Sequence, residues 1–293
     1  MNNTSRYSCD TQLARFEYPC DHYADLSAAI IQPVLILGGD SILALEFCKF
    51  LKAKQITFFR TSRKPELDSR TLYLDSNDVQ SIENLITAVK NKKIKFGSVV
   101  NFIAQVDRKN HLSIFESHKE FLQIVETNLV FPYVIFKALL PVLKKRAKIV
   151  QISGGGASQP IPGLPAYSAT KAGLVRLIET IAISLQDKQI DINALGPGPF
   201  VSPVFESVRQ KVDQEIDSLD NNNKKEESLI NLHNTCTVIA RMISEEFHGI
   251  TGNFFSAQWD DWSELATMKA RHSVCNNNFK LRRVMCSASI NSH

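Results

Sequence analysis

Tyr167 and Lys171 stand four residues apart inside a helical pattern, which sets a phenol beside an ammonium. Residues three, four and seven apart share one face of a helix. The apolar stripe through Leu174, Ile178, Ile181 and Leu185 runs along that same face, so the lysine occupies a face from which charges are normally excluded. A free tyrosine titrates near about 10, too high to exchange protons readily at neutrality, and a neighbouring cation lowers that value. The pair therefore reads as an acid/base device, a phenol that gives or takes a proton under the control of a fixed charge. The plainer alternative is a tyrosine packed beside a snorkelling lysine.

The elements that must position this pair are short apolar runs alternating with helical patterns. Strands are predicted at Val34–Leu37, Ile56–Phe59, Thr71–Leu74, Ser98–Ala104, Lys148–Ser153, Ile190–Ala194 and Asn253–Ala257. Helices are predicted over about 41–53, 79–90 and 116–143, and around Tyr167. Alternation of strand and helix, with runs buried on both faces, predicts an α/β fold. It is a Rossmann-type, doubly wound parallel sheet of about seven strands flanked by helices. In such sheets ligands bind at the carboxyl ends of the strands, where strand order reverses. The chemically suggestive residues gather there. They are Gly38 and Gly39 after strand one, Arg60 and Arg63 after strand two, Asp75 after strand three, Asn101 in strand four, Ser153 ending strand five, and Pro197 and Gly198 after strand six. Residues 1–32 read as an N-terminal extension, 33–258 as the domain with a substrate loop at about 199–235, and 259–293 as a C-terminal tail opening on WDDW. Within the loop, DSLDNNNKKEES has little to bury.

Composition narrows the function. The 293 residues are 44% apolar and 22% charged, with a net charge of +4 and no basic stripe, so nucleic acid is not an expected partner. Lys144, Lys145 and Arg146 read as a solvated helix end. The six cysteines are scattered without a C-x-x-C pair and the seven histidines without H-E-x-x-H, so no metal site or disulfide framework is predicted. No apolar run of the roughly 20 residues needed to cross a bilayer stands out, and no hydrophobic leader precedes the domain. A cytoplasmic protein acting on a small molecule is the expectation.

PAYSATKAGLVRL (165–177), INALGPG (192–198) and Asn128 in ETNLVFPYVIFKALLPVL together resemble the short-chain dehydrogenase/reductase family in its compact, single-domain form, over about residues 33–258. The resemblance implies an NAD(P)-dependent interconversion of a carbonyl and an alcohol. In that chemistry Tyr167 protonates the nascent alkoxide, Lys171 lowers the tyrosine pKa and holds the nicotinamide ribose, and Asn128 kinks its helix to position a proton-relay water. It further implies adenine contact by Asp75, a nicotinamide contact by Ser202, and pairing into a homodimer or homotetramer.

The match has departures. The family serine stands thirteen residues before the tyrosine, where this chain has Gly154, and Ser153 or Ser158 would have to serve through the flexibility of ISGGGAS. In LGGDSILA, Gly38 fits the first of three expected glycines, while Ile42 and Ala44 replace the others. Either Asp40 or Ser41 would cap the following helix, whose N-terminal N–H groups suit a pyrophosphate. After strand two, FRTSRK offers Arg60 and Arg63 in place of the acid that binds the ribose of NAD, which favours NADP, with NAD as the alternative. Phe102 and Ile103 replace the family's N-A after Asn101, which points Asn101 toward strand stabilisation. The competing functions are a catalytically impaired nucleotide-binding or scaffold protein on the same fold and, last, a nucleotide-sugar epimerase of the larger family form.

Overall fold

The computed structural model describes residues 29–64, 68–106, 117–161, 163–198 and 221–262. Seven strands form one sheet: β1 (Val34–Leu37), β2 (Phe58–Ser62), β3 (Thr71–Tyr73), β4 (Phe96–Asn101), β5 (Leu143–Ile152), β6 (Asp191–Gly196) and β7 (Phe254–Ser256). Their order is β3-β2-β1-β4-β5-β6-β7 and every pairing is parallel. Strand order reverses between β1 and β4, so the crevice for a ligand opens above the ends of those two strands.

The pleat divides the core into two layers. Val34 and Ile36 of β1, with Val100, Val150, Ile152 and Leu195, point toward helices α1 (Ile42–Ala53) and α6 (Asn221–Met242). Leu35 and Leu37, with Val99, Ile149, Ile192 and Ala194, point toward α2 (Val79–Asn91), α4 (Phe131–Leu139) and α5 (Pro165–Ser184). Alternation along a strand buried on both faces gives this arrangement. At about 25 cal/mol per Å² of apolar surface, these two layers are the main favourable term of the fold.

Several boundaries differ from the sequence expectation. The second strand lies later, at Phe58–Ser62, because its parallel partner Val34 aligns with Phe58. β4 stops at Asn101, whose side chain turns back to accept the Ile103 N–H at 3.1 Å. The long helix predicted over 116–143 is α3 (His118–Val125), a five-residue π turn (Glu126–Val130), α4 and a 3₁₀ turn at Leu140–Val142. Pro132 enters at the start of α4, where a missing N–H is tolerated. Lys144–Arg146 do not end that helix; they open β5 as its exposed start, with the Lys144 ammonium donating to the Gln32 carbonyl at 2.7 Å. By length and composition His118–Val142 would qualify as a membrane span, against the sequence expectation, yet its apolar residues Phe131, Ile135, Phe136 and Leu139 lie in the core on the sheet.

The two ends of the domain are tied to the sheet's amino-terminal edge and its last strand. Ile30 bridges Ser244, and the Ile31 N–H donates to the Ile243 carbonyl at 3.1 Å. Beyond β7, Trp262 is buried against Phe247 and Phe255, whereas Trp259 is exposed. Asp260 of the WDDW stretch is drawn inward; it accepts the Ser256 N–H at 2.6 Å and burial raises its pKa.

Candidate active site

Helix α5 runs for 20 residues from Pro165, whose fixed φ suits a first turn. Its buried face carries Tyr167, Thr170, Lys171, Leu174 and Ile178. The predicted lysine on the apolar stripe is therefore real: Lys171 is 1% exposed and Tyr167 6%. The Lys171 ammonium lies 5.5 Å from the centre of the Tyr167 ring and donates to the Ile152 carbonyl at 3.4 Å. That bond ties the helix to the last residue of β5, at the carboxyl edge of the sheet.

Burial acts on both groups in the same sense, disfavouring the charged form. It pushes the Tyr167 phenol up to about 12 and brings the Lys171 ammonium down to about 8. The expected lowering of Tyr167 by its lysine is outweighed here by desolvation. A positive charge entering the cleft would favour the phenolate, and an incoming anion would favour the ammonium.

Asn128 sits in the π turn, where the Phe131 N–H reaches back to the Glu126 carbonyl. Such an extra residue re-aims the side chains around it, and π turns recur at functional sites. Asn128 is 1% exposed. Its amide clasps the backbone of one residue in the loop after β4, accepting the Gln105 N–H at 2.7 Å and donating to the Gln105 carbonyl at 2.8 Å. It also donates to the Thr170 hydroxyl at 3.2 Å, and that hydroxyl donates to the Tyr167 carbonyl at 2.9 Å. Gln105 and Thr170, which the sequence did not single out, thus join the β4 loop, the π turn and the Tyr167 helix into one frame. The signal for Thr170 was its place on the same face as Tyr167, three residues on.

The position beside the phenol is residue 154. A side chain begun there would put its Cβ 2.8 Å from the Tyr167 hydroxyl. Ser153, one residue earlier in extended chain, points to the other side. Its hydroxyl is buried and has no hydrogen-bond partner, while Ser158 is exposed and donates to the Gly155 carbonyl at 3.1 Å. Of the two serines, Ser153 is the one with an unused buried donor.

At the strand switch, Gly38 has a φ of +75° and a Cβ there would meet Ile103 at 2.7 Å, so only glycine fits. The N–H groups of Gly38 and Gly39 go to the Thr61 hydroxyl and carbonyl at 3.0 and 2.9 Å. Ser41, not Asp40, caps α1 by accepting the Ala44 N–H at 3.3 Å. The first helical N–H groups, those of Ile42 and Leu43, have no acceptor within the helix and face the crevice end. Ile42 is 41% exposed, so its branched side chain projects outward and leaves the core of the turn undisturbed. A dinucleotide phosphate fits this helix start, held by α1 rather than by the glycine N–H groups already used.

The remaining predicted residues fall as follows. Arg60 is half-buried and donates to the Thr71 hydroxyl at 3.4 Å, and Arg63 is exposed beyond β2. The Asp75 carboxylate accepts from the backbone and side chain of Asn77 at 3.0 and 3.2 Å. Asn101 is fully buried and donates to the Gln151 side chain at 2.8 Å, a bond between β4 and β5 that makes it a strand-stabilising residue. The Pro197 carbonyl accepts from the Thr235 hydroxyl at 2.9 Å, and Gly198 has a φ of +78°. Ser202, most of the loop at 199–235, the extension before residue 29 and the tail after 262 lie outside the described residues. Among the described residues no cluster of metal-binding side chains occurs.

Comparison with known proteins agrees with this geometry. A family model described as enoyl-(acyl carrier protein) reductase matches residues 59–257. The 3-oxoacyl-(acyl-carrier-protein) reductase of Haemophilus influenzae is 33% identical over 129 residues, which cover 43% of this chain and 52% of that protein. The chain thus spans about half the length of that relative. The solved structure of ElxO with NADP bound superposes with a TM-score of 0.61 at 21% identity, covering 76% of this chain and 96% of that one. A 4-hydroxyisoleucine dehydrogenase complexed with NADH and succinate gives 0.60 at 18% identity, covering 76% and 96%. At these identities the two structures speak for the fold alone. With the family match spanning more than half of the chain, and Tyr167 and Lys171 paired at the carboxyl edge of a seven-stranded parallel sheet, this protein belongs to the short-chain dehydrogenase/reductase family of oxidoreductases.

Proposed function

We propose that the protein is a nicotinamide-dependent oxidoreductase, linked to NADPH, that interconverts a carbonyl and an alcohol with Tyr167 as the acid/base. The observation that carries this reading is the buried Tyr167–Lys171 pair, tied by Lys171 to the end of β5 and by Thr170 to the Asn128 frame. The bound dinucleotide supplies hydride and, once oxidised, a positive ring. The chain's own residues do the rest. Tyr167 donates its proton to the substrate oxygen during reduction and takes one back in the reverse direction. Lys171 keeps a proton-bearing nitrogen beside it, and the pKa of about 8 makes that proton transferable near neutrality. Asn128 holds the β4 loop against α5, a positioning role, because its amide is already engaged with Gln105 and Thr170.

On the cofactor side, the start of α1 takes the pyrophosphate, with Ser41 shaping that helix start, while Arg60 and Arg63 receive the 2′-phosphate. The names of the ElxO and 4-hydroxyisoleucine dehydrogenase structures record NADP and NADH in the same fold, which supports a nicotinamide nucleotide here. The Haemophilus relative's name makes 3-oxoacyl thioesters a first substrate class to try. Ser153 serves as the hydroxyl donor to the substrate oxygen, brought round by rotation at Gly154–Gly156; its unpartnered buried hydroxyl supports this. A Ser153→Ala variant tests it. A turnover loss of roughly 10²–10³ is expected, and unaltered turnover removes Ser153 from the site. Self-association through α4 and α5 belongs to the same proposal, supported by exposed Tyr133 and Ile183 and checked by sedimentation.

The experiment for the whole is NADPH consumption against a panel of ketones and 3-oxoacyl thioesters. Consumption with at least one compound is expected. Binding of NADPH without consumption of it would favour the second reading, an impaired nucleotide-binding protein, whose supporting observation is the absence of a side chain at Gly154 beside the phenol.

A further inference from the structure

The cofactor preference expected from Arg60 and Arg63 meets an opposing charge. Asp40, in the turn between β1 and α1, does not face the helix it precedes, since Ser41 caps that helix. Its carboxylate instead crosses to the end of β2. It accepts the Ser62 hydroxyl at 2.6 Å and stands 3.9 Å from the Arg60 guanidinium. Ser62 is the last residue of β2, and its hydroxyl also accepts the Lys64 N–H at 3.0 Å, so the serine is held on both sides. The turn that carries Asp40 is itself fastened to β2 by the two bonds from Gly38 and Gly39 to Thr61. Asp40 is 42% exposed in its side chain and Arg60 18%. A carboxylate is therefore built into the carboxyl end of β2, although neither β2 nor the residues just after it supply an acid in the described chain.

We propose that Asp40 sets the choice between the two nicotinamide dinucleotides. In a doubly wound fold, an acid at the end of the second strand accepts from the ribose 2′-hydroxyl of NAD, and a cation there receives the 2′-phosphate of NADP. This chain presents both from different elements: Arg60 and Arg63 from β2 and its loop, and Asp40 from the glycine turn. A dianionic phosphate is drawn by the arginines and repelled by Asp40, while a ribose diol is accepted by Asp40 without penalty. Asp40 thus holds the NADPH preference below what the arginines alone would give, so that NADH is also taken. Ser62 is the positioning residue that keeps the carboxylate over the strand end.

The inference rests on the oxidoreductase reading above, and one titration separates the two. The full chain is titrated with NADPH and with NADH, following fluorescence, and the ratio of the two affinities is compared with those of Asp40→Asn and Ser62→Ala variants. A merely structural role for Asp40 would weaken both nucleotides alike and leave the ratio in place. Removing one like charge beside the phosphate in a solvent-exposed setting is expected to raise the NADPH-over-NADH ratio roughly tenfold in Asp40→Asn. Ser62→Ala is expected to move it in the same direction by a smaller factor, and serves alone if the first variant does not fold. An unchanged ratio, or a shift toward NADH, overturns the inference while leaving the reductase reading intact. Failure of the parent to bind either nucleotide overturns both.

Discussion

Replacing Lys171 with methionine separates what the lysine does for chemistry from what it costs the fold. Lys171 is fully buried, and burial holds its pKa near 8 against 10.5 for the free side chain. The lowered folded value means that the unfolded chain binds an extra proton between those two pH values, so stability rises with pH across that window. Below it the penalty is complete. A shift from 10.5 to about 8, at about 1.4 kcal/mol per unit, corresponds to about 3 kcal/mol near pH 7. Methionine has a similar length and no charge, so Lys171→Met relieves that penalty. The single bond to the Ile152 carbonyl, at 3.4 Å, is lost in exchange and is worth about 1 kcal/mol. The net expectation is a variant about 2 kcal/mol more stable than the parent near pH 7. The gain shrinks to near zero by about pH 9.5, where roughly 1 kcal/mol of the penalty remains. Urea unfolding of parent and variant at both pH values measures it, with turnover expected to be lost. A variant less stable than the parent near pH 7, or a difference independent of pH between about 7 and 9.5, would refute the claim that a desolvated ammonium sits on this helix.

Three further outcomes follow from particular contacts. Asn128→Ala should lower stability by about 2–3 kcal/mol in urea unfolding, because three hydrogen bonds, one buried and two partly buried, vanish and the Gln105 backbone loses its partner. Asp191→Asn should lower it by roughly 3–5 kcal/mol, since the buried Lys148 nitrogen, 2.6 Å from the Asp191 carboxylate, would lose the partner that most offsets its desolvation; rescue by Lys148→Met in the same background is the check. Gly38→Ala should cost about 1–3 kcal/mol in thermal unfolding, from a φ of +75° and a Cβ at 2.7 Å from Ile103.

Much of the frame was legible because it depends on local patterns. Val34–Leu37 is buried on both faces, and its continuous apolar run shows that directly. Tyr167 and Lys171 were legible because a helix fixes which residues share a face. The frame around them was less so. The π turn at Glu126–Val130 leaves the helical periodicity nearly intact, so the chain reads as one long helix although Asn128 is turned inward. Lys144–Arg146 look like a helix end by composition, yet they lie in β5 at the irregularity between Leu143 and Lys148, the residues that pair with Phe96 and Ser98 of β4. In sequence Asp40 reads as one of two residues placed to cap α1, because its neighbours favour that. Its actual partner, Ser62, is 22 residues away, and only the pairing of β1 with β2 brings the two together. The departure at Ile42 looked more disruptive in sequence than in space, where the side chain points out of the turn.

The central claim is that Tyr167 moves the proton in a reaction driven by a bound nicotinamide nucleotide. The most direct measurement compares the parent with Tyr167→Phe in two readouts, NADPH affinity by fluorescence titration and turnover of whichever carbonyl compound the parent reduces. The phenyl ring keeps the packing, so affinity should stay within a few-fold, while loss of the acid should reduce turnover by about 10³-fold. Unchanged turnover in Tyr167→Phe would contradict the account.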